Sequence, residues 1–341
     1  MTNKIRVAAV QMDAAPAPIM ERLARAGNLI ADASSNGAQL IVLPELFNTG
    51  YQYDNQNYQL AETVDGQTMI WMSDQAKTHN IHLAGSFLFR DGDEIYNTAF
   101  LIAPDGKRWR YDKQFPWLWE RAYFRGGNHN EIAHTELGDI GMLICWDSAH
   151  PELWKQYEGQ VDMLLVMSCP PKMSSPELVF PDGKRVPQRK LSGIFSYLHT
   201  EEEYFPAKDM DHQAGWLGVP VVATVGAGKV RLKIPRPYLG AAFFTAFRPD
   251  LWSRFRQFKQ MMLETGFDKQ TKIIDETGKV LSRVEQDGDG FTLSEIELSP
   301  PKSKPVEKQP QMRTQSLTYF MSDTLSEWLL ASFYRKNKDD T

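Results

Sequence analysis

Three short stretches of this chain, residues 40–43, 140–144 and 163–167, carry no polar side chain. None is long enough for a buried helix. A strand without polar alternation is covered on both of its faces, so these runs demand a sheet with further layers packed against it. Other strands are expected at residues 5–10, 81–89, 96–102, 108–111, 132–135 and 219–225, then at 271–274, 280–284 and 291–296. Helices are expected between them, at 18–34, 68–79, 151–157 and within 184–203 from about Pro187. In the first, Ile19, Leu23, Ala26, Leu29 and Ile30 recur at helical spacing, and Asn36-Gly37 stops it. Strands alternating with helices, with turns at Asp91-Gly92-Asp93 and Pro104-Asp105-Gly106, predict a mixed α/β layered domain.

Reactive residues stand where these strands run out. Residues 140–144 lead straight into Cys145, and residues 40–43 lead through Pro44 into Glu45. Lys113 follows the strand at 108–111. Strand mouths of α/β proteins are where nucleophiles and ligands gather. A thiol nucleophile needs a proton acceptor, and an acyl intermediate needs a donor for its oxyanion. Glu45 can take the thiol proton and return it to a leaving amine. Lys113 can stabilise the developing negative charge and keep nearby carboxylates ionised. Glu120 could position Glu45, Lys113 or a water.

Tyr51, Trp117, Trp119 and Trp146 lie near these residues in sequence and could wall an acyl pocket; their plainer reading is aromatic core. His150 is too near Cys145 in sequence to be aimed at it and is read as support for the turn. Cys169 is read as an inert buried thiol, and His129 as loop surface. Asp287-Gly288-Asp289-Gly290 is too short for a calcium loop and lacks the final glutamate, so it is read as a hairpin turn. Arg185, Arg189 and Lys190 are read as a charge cluster on a helix face.

Composition narrows the function classes. A net charge of −5 over 341 residues gives no electrostatic reason to bind nucleic acid. No stretch approaches the ~18 apolar residues of a spanning helix. Residues 5–10 are too short for a secretory leader and Gln11 interrupts them, so the chain is read as cytoplasmic. In that reducing compartment Cys145 and Cys169 are not expected to pair. There is no CxxC or HExxH array, and no metal or organic cofactor is expected.

Residues 300–311, rich in Pro, Lys and Gln, read as a linker or extended arm. Residues 316–334 then turn apolar and aromatic, with Leu317, Tyr319, Phe320, Leu325, Trp328, Leu329 and Phe333. This tail is expected to dock on its own domain or at a subunit interface, and packing across a subunit boundary is the specific expectation. The chain thus divides into a catalytic domain, residues 1–298, and an extension, residues 299–341.

The reactive residues also carry a resemblance. Val42-Leu43-Pro44-Glu45-Leu46-Phe47 resembles the first signature of the nitrilase superfamily, the carbon–nitrogen hydrolases. Arg110-Tyr111-Asp112-Lys113, with Pro116 and Glu120-Arg121, resembles its lysine signature. Gly141-Met142-Leu143-Ile144-Cys145-Trp146-Asp147, with Pro151-Glu152-Leu153, resembles its cysteine signature. The order Glu, Lys, Cys matches as well, at separations of 68 and 32 residues. The resemblance spans residues 4–298. It implies an α-β-β-α sandwich, subunits paired through their sandwiches into a homodimer or larger assembly, and no cofactor. It implies Glu45 as base and acid, Lys113 as transition-state stabiliser, Cys145 as nucleophile and Glu120 as an additional glutamate, with the Trp146 backbone N–H as oxyanion donor beside Lys113.

Two branch signals conflict. The lysine region, with Gly126-Gly127-Asn128, looks like that of true nitrilases. Nitrilases usually carry Glu and His after Cys-Trp, whereas this chain has Asp147 and Ser148, closer to amidases and carbamoylases. Hydrolysis of a small amide or N-carbamoyl compound is therefore expected, with nitrile hydrolysis as the alternative. A catalytically dead binding or scaffold relative is the rival class, and it would have lost one of Glu45, Lys113 or Cys145.

Overall fold

The computed structural model describes residues 3–171, 176–187, 190, 207–245, 248–267, 270–298, 305–314 and 316–339. In chain order the strands are β1 (Asn3–Asp13), β2 (Leu40–Val42), β3 (His82–Asp91), β4 (Glu94–Ile102), β5 (Arg108–Asp112), β6 (Ala133–Thr135), β7 (Gly138–Ile144) and β8 (Met163–Met167). They continue with β9 (Glu177–Val179), β10 (Arg185–Pro187), β11 (Val221–Thr224), β12 (Gly226–Ala227), β13 (Lys229–Lys233), β14 (Met262–Gly266), β15 (Lys272–Ile274), β16 (Val280–Arg283) and β17 (Gly290–Leu298).

Two large sheets face each other. One runs β12-β1-β2-β3-β4-β5, with β17 antiparallel to β1; the other runs β16-β15-β11-β8-β7-β6. Strand alternation sorts the first sheet's side chains. Val7, Ala9, Leu40, Val42 and Ala84 join one core with β7, β8 and β11 of the second sheet. Ala8, Val10, Ile41, Leu43 and Leu83 instead pack with Leu23, Ala26 and Ile30 of helix Ile19–Ser35 and Met69, Met72 and Ala76 of helix Gln67–His79. Helices Pro151–Lys155 and Ala207–Leu217 add Leu153, Trp154, Ala214 and Leu217 to the second sheet's core. This is the expected α-β-β-α sandwich. Each fully buried Leu, Ile or Val contributes roughly 1.5–3 kcal/mol, so the apolar strands that lead to the reactive residues are firmly held.

Three expectations need correction or restriction. Residues 185–187 are not the start of a helix. They form β10, antiparallel to β9, in a small third sheet ordered β10-β9-β14-β13. Val186 is buried and Arg185 exposed, the two-residue period of a strand. Arg185 therefore belongs to no helix face: its Nε is 2.7 Å from Glu177, and it also pairs with Glu264. The remainder of the helix expected within 184–203, and Arg189, lie outside the described residues. The tail, finally, makes contacts on its own chain, which leave the expectation of packing across a subunit boundary untested. Residues 305–314 run extended beside helix Ala207–Leu217, where Trp216 Nε1 donates to Glu307 O (3.0 Å) and Gln213 Nε2 to Pro310 O (2.8 Å). A helix (Ser316–Tyr319), a π turn (Phe320–Leu325) and a longer helix (Ser326–Asp339) follow. Leu330 and Tyr334 are buried there, and the Tyr334 hydroxyl donates to Glu94 (2.7 Å) and accepts the Ile95 N–H (3.0 Å). No helix among the described residues is long and apolar enough to cross a membrane.

Candidate active site

Glu45 is placed by a turn held from two sides. Leu43 N–H extends the ladder of β2 to Ala84 O (2.8 Å), and Leu46 N–H donates to Ser86 Oγ (3.1 Å). The buried Arg22 guanidinium donates to Phe47 O (2.7 Å), Asp13 O (2.8 Å) and Ala15 O (2.9 Å). Leu46 takes a φ of 52°. A branched residue in that region persists only where its surroundings over-determine it.

Lys113 comes directly after β5. Its N–H donates to Asn97 O on β4, and its carbonyl accepts from Gly127, both at 2.9 Å. A Cβ on Gly127 would stand 2.2 Å from Asp112 Cβ, so the closure of this loop requires glycine. The Lys113 ammonium is fully buried, 2.8 Å from Glu45 Oε1 and 2.7 Å from Glu120 Oε2. Glu120 sits in a 3-10 turn, Leu118–Ala122, and its Oε2 also caps that turn by accepting Trp117 N–H (2.7 Å). Its Oε1 accepts the Tyr51 hydroxyl (2.8 Å), which is bonded in turn to Tyr53 (2.8 Å).

Cys145 is the first residue beyond β7 and opens a second 3-10 turn, Cys145–Ala149. It is 2% exposed, with a φ of 51°. Among the described residues only five non-glycines have positive φ, and Leu46, Leu118 and Cys145 occupy the three turns that carry Glu45, Glu120 and the thiol. Asp147 joins two of the pieces. It accepts the Tyr111 hydroxyl (2.8 Å) and the backbone N–H groups of Phe115 (2.8 Å) and Gln114 (3.1 Å), tying the Lys113 loop to the cysteine turn.

Two carboxyl groups share one ammonium in this buried space. Burial pushes Glu45 up to about 7; Lys113 opposes the rise and Glu120 adds to it. Burial alone would lower Lys113, but the charge interactions with Cys145 when it ionises, and with Glu120 and Glu45, outweigh it and hold the ammonium well above its usual range. Burial, reinforced by Glu45, raises the Cys145 thiol well above its ordinary value. At neutral pH the resting group is thus a neutral thiol beside a protonated lysine and a glutamate poised to gain or lose a proton. Glu45 Oε1 is engaged by Lys113 and by Asn97 Nδ2 (2.8 Å), whereas the buried Oε2 has no hydrogen-bond partner among the described residues. That leaves an acceptor open for the thiol proton.

The other candidates separate. Tyr51 is 1% exposed and spends its hydroxyl on Glu120. Trp117 packs with Trp146 and Ala149 behind the cysteine turn, and its buried indole Nε1 has no partner among the described residues. Trp119 packs edge-on against Tyr53 and lines a largely apolar cavity of about 250 Å³ with Leu118, Pro235, Leu239, Leu325 and Leu329. His150, at the end of the turn it was expected to support, donates its Nδ1–H to Trp146 O (2.9 Å). Asn97, Tyr53, Ser86 and Arg22 were not singled out in the sequence. Their roles arise from contacts between distant segments, and no local motif announces them. Among the described residues, no three His, Cys, Asp or Glu side chains are grouped to hold a metal ion.

Comparison with known proteins identifies the family and the fold. The family model described as Carbon-nitrogen hydrolase matches residues 6–184. A nitrilase of Pyrococcus abyssi is 31% identical over 152 residues, which is 43% of this chain and 58% of that protein. A 2-oxoglutaramate amidase of Bacillus subtilis is 29% identical over 170 residues, 49% of this chain and 65% of that protein. The chain thus spans about three fifths of the length of the curated relatives it matches. A carbon-nitrogen hydrolase from Helicobacter pylori shares the fold, with a TM-score of 0.63 at 18% identity over 86% of this chain and 89% of that one. With the family match covering more than half of its length, the chain belongs to the carbon–nitrogen hydrolases of the nitrilase superfamily.

Proposed function

We propose that this chain hydrolyses a carbon–nitrogen bond in a small amide or N-carbamoyl compound, with water as the second substrate. The observation that carries the reading is the buried Lys113 ammonium, bridged to Glu45 and Glu120 beside a thiol at a strand mouth. In the proposed sequence Glu45 takes the Cys145 proton and the thiolate attacks the carbonyl carbon. Lys113 and the Trp146 N–H stabilise the oxyanion. The carbon–nitrogen bond breaks as Glu45 returns the proton to the leaving nitrogen. Water, deprotonated by Glu45, then opens the thioester, releasing the acid and restoring the thiol. Residues 1–298 act in this reading as the catalytic domain.

The test is ammonia or amine release from matched primary amides, N-carbamoyl compounds and nitriles, run beside Cys145→Ala. Turnover of amides or carbamoyl compounds that vanishes in the variant supports the reading. Turnover of nitriles alone would make the lysine region the better guide to the branch. No turnover on any class would favour a binding relative.

The raised Glu45 gives a pH dependence with a definite sign. A base must be ionised to accept a proton, so kcat/KM should fall about tenfold per pH unit below about 7. A pH–rate profile from 5 to 9 checks this. An acid limb near the ordinary carboxyl range, about 4.3, would mean that burial does not raise Glu45, and a profile with no acid limb would remove Glu45 from the role of base.

A further inference from the structure

Beyond the match to residues 6–184, the tail places one carboxylate against the cysteine turn. Asp323 Oδ1 accepts the Trp146 indole N–H at 2.9 Å, and Oδ2 lies 3.1 Å from His150 Nε2. Arg121, the neighbour of Glu120, approaches Asp323 Oδ1 at 3.4 Å and donates to Ser322 O at 2.8 Å. One side chain from the end of the fold thus joins both 3-10 turns of the candidate site.

The surrounding geometry is built for this. Asp323 lies within the π turn Phe320–Leu325, an insertion in the helical path that re-aims side chains and often marks a functional position. His150 is fixed on every side. Phe115, two residues past Lys113, stacks on its ring at 3.7 Å with a 9° interplanar angle. Trp146 and Tyr319 meet it edge-on at 5.5 and 5.3 Å. The Tyr319 hydroxyl donates to Ala149 O, at the far end of the cysteine turn. Burial would lower His150, but the hydrogen bond and charge of Asp323 outweigh it and raise it above its ordinary value. A partly buried, charge-assisted set of this kind is stronger than an exposed pair.

We propose that Asp323 is a positioning residue: through the Trp146 indole and His150 it fixes the turn that presents the Cys145 thiol and the Trp146 N–H. The inference rests on the hydrolytic reading of this site for its kinetic arm alone. Its other arm, alkylation of Cys145 by iodoacetamide, needs no substrate. The variants are Asp323→Asn, Asp323→Ala and Asp323→Glu, with Glu327→Gln as comparison. Glu327 shares Arg121 with Asp323 (2.8 Å) from the same tail.

For Asp323→Ala, kcat should fall at least tenfold with KM within about twofold, and the Cys145 alkylation rate should change at least fivefold. Asp323→Asn should fall between, and Asp323→Glu should recover part of both. Glu327→Gln should stay within twofold of the parent in each. If Asp323→Ala does not fold, Asp323→Asn, which keeps the side chain's size and removes its charge, should still change the alkylation rate while Glu327→Gln does not. Parental alkylation in Asp323→Ala, or equal small effects of Asp323→Ala and Glu327→Gln, would overturn the proposal. If the parent turns over no amide, carbamoyl compound or nitrile while alkylation still separates Asp323→Ala from Glu327→Gln, the hydrolytic reading fails and the positioning role stands.

Discussion

Lys113→Met should lose about 3–5 kcal/mol of folding stability together with all measurable turnover. The ammonium is fully buried and is the cation that bridges Glu45 and Glu120. Removing it leaves two buried carboxyl groups without a cation between them. The chain can relieve the repulsion only by taking up a proton, and that sets the pH dependence. Glu45 already stands near 7 with Lys113 present, and Lys113 is what restrains it. In the variant it rises further above its unfolded value. A carboxyl raised in the folded state contributes stability below its unfolded pKa and loses it as pH rises through the folded one. The deficit of Lys113→Met should therefore be smaller at pH 5 than at pH 8. Denaturant unfolding of parent and variant at both values measures it. A deficit independent of pH would mean that the cost is packing and not uncompensated charge.

Cys145→Ala should behave in the opposite way, with activity lost by roughly 10⁴–10⁶-fold and the fold nearly untouched. The thiol is buried but neutral at rest, so its removal strands no charge. Alanine keeps the Cβ and inherits the same left-handed backbone, so the strain of the turn is unchanged. Thermal unfolding and ammonia release, measured on one preparation, separate the two effects. Residual turnover within tenfold of the parent would remove Cys145 from the role of nucleophile and make the match of motifs a matter of descent alone.

The sequence disclosed a layered α/β domain because its central strands are apolar throughout, and such strands read the same in isolation as in the fold; the four-layer sandwich was implied by the resemblance of the motifs. β8 covers the expected residues 163–167, β2 ends three residues before Glu45, and β7 ends at the residue before Cys145. The third sheet was hidden for the opposite reason. In β13, Val230 and Leu232 are buried between exposed Lys229, Arg231 and Lys233, so two apolar residues are its whole signal. The reactive residues were legible because each stands at the end of a strand. Their supports were not. Asn97 meets Glu45 across 52 residues of sequence, and Asp323 meets Trp146 across 177. The tail's apolar pattern announced that it would dock but not where. Leu330 and Tyr334 settle beside Glu94 and Tyr58 of the same chain, a pairing that only the assembled surface defines.

The neighbours of β1 bear on how the chain can be cut. β1 has β2 on one side; on the other it has β17 along residues 3–11 and β12 at residues 12 and 13. In the second sheet β8 lies between β7 and β11. The stretch shared with the family model stops at residue 184, before β11, β12 and β17. A fragment ending there would expose one long bare edge on each sheet, along strands built of Val, Ala, Leu and Ile. Unguarded apolar edges of that kind recruit other chains and seed aggregates. The most recognisable half of the sequence is therefore not a folding unit: synthesis must proceed through β17 before the first strand made has its second neighbour.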